Sequence, residues 1–449
     1  IGVSAFEGCT ALESITFSSY LTTVNSSAFR NCSSLKAVDF PDRLLTLEGG
    51  VFADCSSLET VNLPMSLASI GSNTFSNCTS LKSIELPNIL MTIETNTFQD
   101  CKQLETVKMP VGLMTISSNA FQGCSSLKSI NIPGGVQTIS SSAFQNCGLE
   151  EVTFEEGLTE LENNSFAGCY QLKRVTFPAS IKTVAGFNDS GVQEVLFAEG
   201  AAPESVLERA FYNCDSLRII TLPNSITTMG MAVFSGCLNL QSVTLPTGIT
   251  QIPANTFSEC PNLRSLDIPE GVTSIGYDAF VRCYKLASVK FPSTLRTIGG
   301  SAFYQSGIES LTLPEGVTTI YGSTFYNCDS LRTVVLPSTL TRITTRYNDD
   351  DTSSGTAPFS DCDRLSAFDA SKAPLEEVCE GAFSGLDIRT LNLSASRFTT
   401  VPNRLCNGCD SLRTVVLPAT VTSIGERAFG NCRKLSSVNL PEETTTVEE

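Results

Sequence analysis

The chain has 449 residues, a net charge of −17, 18 Cys, 26 Phe, no Trp and no His. Without histidine there is no Ser-His or Cys-His nucleophile pair and no His-ligated zinc, and the acid excess excludes a phosphate-tracking, nucleic-acid-binding surface. No stretch reaches the 18 or more apolar residues of a membrane span, and residue 1 opens no cationic and apolar leader.

Along the chain a single pattern recurs. Cys9, Cys32, Cys55, Cys78, Cys101, Cys124 and Cys147 are spaced by 23 residues, and the series continues through Cys169, Cys214, Cys237, Cys260 and Cys283. A Phe stands three residues before each, from Phe6 and Phe29 onward, and alignment on it gives 19 coils, of which only one, with Cys406, lacks the ring. Ser190, Ser306 and Leu386 fill the cysteine slot where the thiol is missing. A fixed period in this range specifies a solenoid and not a string of globular domains.

The coil from Cys55 to Phe75 shows the internal plan. Val61 and Leu63 alternate with Thr60 and Asn62, the period of a half-buried strand. Pro64 ends it, because proline has no N–H for a ladder, and 14 of the 20 prolines occupy this slot. Leu67 and Ile70 form a second short extended element, and Thr74 to Asn77 predicts one helical turn. The residue before the cysteine slot is Gly, Asn or Asp in 16 of 19 coils, as a left-handed turn end requires.

The repeat LxxVxLPxxLxxIxxxxFxxCxxL resembles the BspA-like, or Treponema pallidum-type, leucine-rich repeat over the whole chain. The resemblance implies one β-rich solenoid spanning 1–449, a right-handed leucine-rich-repeat superhelix of 19 coils with short helical turns and a parallel sheet on one face. It also implies an extracellular or cell-surface microbial protein, used for adhesion or for recognition of a host protein. No catalytic residue or cofactor comes with it.

Several columns run from coil to coil. The Phe column reads as an aromatic spine, and the Cys column as buried thiols packing like small hydrophobes, with some pairing left open. Cys406 and Cys409 form the one C-x-x-C, where a local disulfide is an alternative to plain packing. The residue after the coil leucine alternates in sign through Glu13, Lys36, Glu59, Lys82, Glu105, Lys128, Glu150 and Lys173. Opposite charges on adjacent coils fix register, since a slip by one coil sets like charges together.

The strand face carries mostly Ser, Thr and Asn. A Thr column (Thr23, Thr46, Thr92, Thr115, Thr138) keeps ice or glycan binding as a minor alternative. Anchors for a protein partner are scarce there. The uneven stretch from Arg174 to Ile219 supplies the candidate contacts Arg174, Thr176, Glu194, Leu196, Ile219 and Thr221.

Irregular coils are expected near 185–211, with a kink or bulge, and at a loop insertion over 344–358 that makes the coil 11 residues longer than the norm. The insertion adds Arg346 and Tyr347 as candidate contacts. Its run Asp349-Asp350-Asp351 lacks the ligand spacing of an EF-hand and reads as a solvated loop more than a calcium site. The chain opens in mid-coil and closes on an acidic stretch, 440–449, that reads as a fading last coil. No membrane insertion is expected of these residues. Monomer and end-to-end assembly both stay open, the second giving a structural alternative in which the chain is a spacer or fibre subunit.

Overall fold

The structure is a computed structural model that describes residues 1–350 and 355–447. It divides into two compact units, residues 1–217 and 218–449. Each is a stack of coils joined by parallel pairing at a constant offset, as in Val38 beside Val61 and Leu266 beside Val289. This is the leucine-rich-repeat solenoid.

The regular strands are short. Thr60–Asn62 and Ser83–Glu85 each bury their middle residue and expose the two flanking ones, so one apolar side chain per strand enters the core. After the proline slot comes a two-residue strand such as Ser69–Ile70, which pairs with Thr46–Leu47 of the coil before. Two narrow ladders therefore run along each unit, one on either side of the core.

The third side departs from the sequence reading. No helix forms among the described residues; the expected helical turn is a ladder of left-handed turns. Asn73 and Asn77 both have φ of 60°, while Phe75 between them does not leave the ordinary region. A helix would return each N–H to its own coil. Alternating hand instead turns every second N–H outward, so Asn73, Phe75 and Asn77 donate to Thr95, Thr97 and Gln99 of the next coil at 3.0, 2.9 and 2.8 Å. The intervening Ser76 and Cys78 donate within the coil, to Asn73 and Phe75.

The residue before the cysteine slot is left-handed even where it is not Gly, Asn or Asp: Glu259, Arg282 and Gln305 have φ of 58°, 57° and 55°. A side chain there costs on the order of 1 kcal/mol. The ladder holds it, because each of the three donates its N–H to the next coil at 2.8 Å. The matching left-handed residue two places before the Phe, as at Ser27, Asn119 and Asp278, escaped the sequence reading because Ser, Asn, Asp, Gly and Arg share that slot.

Inside, the Phe rings form the spine. In residues 1–217 successive centroids from Phe6 to Phe211 lie 5.0 to 6.1 Å apart with near-parallel planes. In the second unit Phe257, Phe280, Phe303, Phe325 and Phe359 repeat this at 4.9 to 5.5 Å. The widest step in the first unit, 6.1 Å between Phe187 and Phe211, falls in the irregular coil. There the left-handed residue moves one place to Gly186 (φ 92°), where a Cβ would stand 2.1 Å from Ser165 Oγ.

The column cysteines are buried free thiols with a hydrogen-bonding role beyond packing. Cys55, Cys78, Cys101 and Cys124 each donate Sγ–H to the carbonyl of the Phe in the preceding coil, at 3.1 to 3.2 Å. This explains why a small donor is repeated at the slot. Burial pushes the thiols of Cys55, Cys214 and Cys283 up to about 12. Cys406 and Cys409 are likewise buried free thiols, and Cys409 Sγ–H donates to the Phe383 carbonyl at 2.9 Å.

Candidate functional site

Four consecutive strands are longer than the rest: Ser129–Ile132, Glu151–Phe154, Arg174–Phe177 and Glu194–Phe197, all in the first unit. The cause is local. Glu155 and Ala198 stand where other coils have proline, so their N–H groups extend the ladder to Ile132 O at 3.0 Å and Phe177 O at 2.9 Å. The loss of proline at 155 and 198 was visible in the sequence, and it is the signal that would have located this widened face.

The strands Arg174–Phe177 and Glu194–Phe197 pair in register, with Arg174 beside Glu194 and Thr176 beside Leu196. Four of the predicted contacts thus meet on one surface. Arg174 Nε lies 2.6 Å from Glu194 Oε2, with both side chains about half exposed or more. The pair is worth at most about 1 kcal/mol there and serves orientation more than stability. Leu196 is 40% exposed on a face otherwise lined by polar groups.

These strands border a shallow depression of about 680 Å³, whose walls include Glu151, Thr153, Glu156, Arg174, Thr176 and Glu194. At its edge Asn131 Nδ2 and the Gly134 N–H donate to the two oxygens of Glu155, at 2.7 and 3.0 Å. Those bonds hold the Glu155 carboxyl below the usual carboxylate range. The surface offers fixed donors and acceptors, one apolar contact and no nucleophile beside a base. It is suited to recognition by contact.

The remaining predicted contacts lie elsewhere. Ile219 and Thr221 belong to the second unit, where they flank the buried Ile220 on the strand Ile219–Thr221, and Ile219 is 62% exposed. Arg346 and Tyr347 lie in the insertion that follows the strand Arg342–Ile343. Their carbonyls accept the N–H groups of Gly322 at 2.6 Å and Gly300 at 3.1 Å, so the insertion is laid along the turn ladder. Both glycines leave room for it, since a Cβ on Gly322 would stand 2.1 Å from Thr345 O.

Within the insertion Asp349 is held by Arg342 and by Tyr321, whose hydroxyl donates to Oδ2 at 2.9 Å. Both contacts hold its carboxyl low. Asp351 lies outside the described residues, as do Glu448 and Glu449 of the acidic C-terminal stretch. Among the described residues no three His, Cys, Asp or Glu side chains converge as a metal site, and no helix is long and apolar enough to cross a membrane.

The alternating charge column pairs on the surface as Lys36–Glu13, Lys82–Glu59 and Lys128–Glu150, at 3.5, 2.9 and 3.2 Å. These groups lock register and define no site.

A family profile described as "BspA type Leucine rich repeat region" matches residues 1–128, 91–202, 185–306, 250–348 and 348–449, which together take in the whole chain. Among solved structures, a leucine-rich repeat protein from Bacteroides ovatus is 21% identical, with 85% of this chain and 78% of that one covered and a TM-score of 0.41. A leucine rich cell surface protein from Faecalibacterium prausnitzii is 24% identical, with coverage of 78% and 76% and a TM-score of 0.37. The leucine-rich repeat protein of T. pallidum is 24% identical, with 47% of this chain and 80% of that one covered and a TM-score of 0.30. No curated protein sequence matches the chain.

Proposed function

The chain belongs to the BspA-type leucine-rich repeat family, and on that premise we propose that it is a surface or secreted recognition protein that binds a protein partner along the strand face of its first unit. The observation that carries this reading is the widened four-strand surface, where Arg174, Thr176, Glu194 and Leu196 stand together beside the depression. Elsewhere in that unit the strand face is a narrow band of short polar side chains. Here it broadens, and it presents an arginine and an exposed leucine, which are the kinds of group that anchor interfaces.

The chemistry favours a folded protein over a small molecule. The depression is open and its floor is shallow, so a small ligand would keep most of its surface in water. A flat surface with a charged pair and one apolar anchor fits a partner that buries all of them at once.

The test is a screen of the full chain against arrayed extracellular-matrix and cell-surface proteins, wild type beside the double variant Arg174→Ala/Leu196→Asp. A captured partner should lose at least tenfold in affinity to the double variant and nothing to Thr312→Lys, an exposed strand position in the second unit. Equal capture of all three proteins, or no capture at micromolar concentration, would remove the reading.

A further inference from the structure

A second surface of the first unit departs from the rest of the chain. Past the proline slot of four successive coils, Leu45, Met65, Ile89, Met91, Val111 and Met114 are exposed, by 50, 53, 52, 56, 78 and 38%. Leu45, Ala68, Met91 and Met114 share one slot of the repeat and stack at coil spacing, with Ala68 N–H donating to Leu45 O at 2.9 Å and Met114 N–H to Met91 O at 2.8 Å. In the next four coils the same slot holds Gln137, Thr159, Lys182 and Glu204. The repeat therefore tolerates charge there, and core packing does not explain the apolar run.

The ridge is also bare of charge. Segments 64–71, 110–117 and 133–140 contain no charged residue, and 87–94 contains only Glu94. It ends in a depression of about 450 Å³ lined by Val107, Met109, Val111, Gly134 and Gly135. The concavity has a local cause: Val107 is only half-buried, although the middle residue of most strands is fully buried.

We propose that this ridge is a homodimer interface, in which a second copy of the chain packs on it in antiparallel orientation. Three observations select a second copy. A chain of net charge −17 repels itself over most of its surface, and this face is where that repulsion is weakest. A second copy has the same coil pitch, so its side chains fall into step with the ridge over all four coils. The column is also self-complementary. A two-fold axis between Ala68 and Met91 sets Leu45 of one copy against Met114 of the other, and Ala68 against Met91, so that a small residue faces a long adaptable one.

The ends match as well. Asp42 and Arg43 flank one end of the ridge, while Lys108 and Glu155 border the depression at the other. Reversal of one copy brings the two charged groups together. A stable interface takes about 800 Å² from each partner with a more apolar centre in homodimers. Six exposed aliphatic side chains over four coils supply that centre, and the polar residues around them supply the rim. The surface lies across the proline column from the strand face, so dimerisation leaves the proposed recognition surface open.

Sedimentation analysis of the full chain over a concentration series tests this. Wild type should pass from 48.0 kDa to twice that mass in the micromolar range. Met91→Glu should weaken association at least a hundredfold, while Met91→Leu and Thr318→Glu, an exposed residue of the same slot in the second unit, should dimerise like wild type. Leu45→Asp and Met114→Lys should each disrupt the dimer, and together restore it, because the antiparallel arrangement sets each against the other. A wild type that stays monomeric to about 100 µM, a Met91→Glu variant that dimerises as tightly as wild type, or failure of the charge-swap rescue would overturn the proposal. A monomeric wild type that floats with phosphatidylcholine vesicles would overturn it in favour of a lipid contact.

Discussion

Replacing Phe121 by alanine removes one ring from the middle of the spine in the first unit. Phe121 is fully buried and stacks on Phe98 and Phe144, each at 5.2 Å. A buried Phe→Ala change costs about 3–5 kcal/mol, and the spread depends on how far the site can collapse. Here collapse is blocked. Phe98 N–H is tied to Ala120 O at 2.8 Å and Phe121 N–H to Ala143 O at 2.7 Å, so the ladder holds the neighbouring coils at their spacing. Two stacking contacts are also lost, each worth about 0.5–1.5 kcal/mol beyond burial. The expected loss is therefore in the upper half of the range, about 4–5 kcal/mol. Phe6→Ala is the internal control, since Phe6 is 38% exposed and has one stacking partner, Phe29 at 5.0 Å; it should cost about 1–2 kcal/mol.

Hydrogen exchange read by mass spectrometry, with calorimetry for the total, measures both the size and the reach of the effect. Because coils touch only their neighbours, amides between residues 98 and 147 should exchange faster while those of the first two coils keep wild-type rates. A loss below about 2 kcal/mol, or a uniform rise in exchange across residues 1–217, would refute the reasoning.

Alkylation at pH 8 should label Cys9, the exposed thiol, and spare the buried column until the chain unfolds; a thiol pushed from 9.0 to about 12, as at Cys55, has roughly a thousandfold less thiolate. The same burial makes stability fall as pH rises above about 9: the unfolded chain then loses thiol protons that the folded chain retains, so denaturant midpoints should be level from pH 6 to 8 and decline beyond. Gly322→Ala should loosen the insertion, since its Cβ would stand 2.1 Å from Thr345 O; limited proteolysis should then cut near residues 344–358 several times faster, with the column cysteines still protected.

Much of the architecture could be read directly. Period 23 gave the solenoid, the alternation at Val61 and Leu63 gave the strand, the proline slot gave its end, and Gly, Asn or Asp before the cysteine marked a left-handed residue. The helical turn was misread because one left-handed position per coil is what a helix C-terminus also shows. The second, two places before the Phe, has no fixed residue type. The candidate site was legible only in part. Arg174 and Leu196 stood out as departures from a polar face, but the missing prolines at 155 and 198 gained meaning only when the extended ladder showed what their N–H groups do.

By itself the sequence determined what repeats: which residue of each coil faces inward, where each strand stops, and which charges face one another between coils. These follow from local chemistry multiplied by a constant period. Only the tertiary structure decided what the repeat does between coils. It turned Glu259, Arg282 and Gln305 left-handed because the next coil accepts their N–H groups, and it made the cysteine a hydrogen-bond donor because a Phe carbonyl of the coil before lies within reach. It also joined Leu45, Met91 and Met114 into one surface, although 46 and 23 residues separate them along the chain. Hydrogen bonds and exposure depend on neighbours one coil away, and the 18 cysteines and 26 phenylalanines acquired distinct roles only once those neighbours were in place.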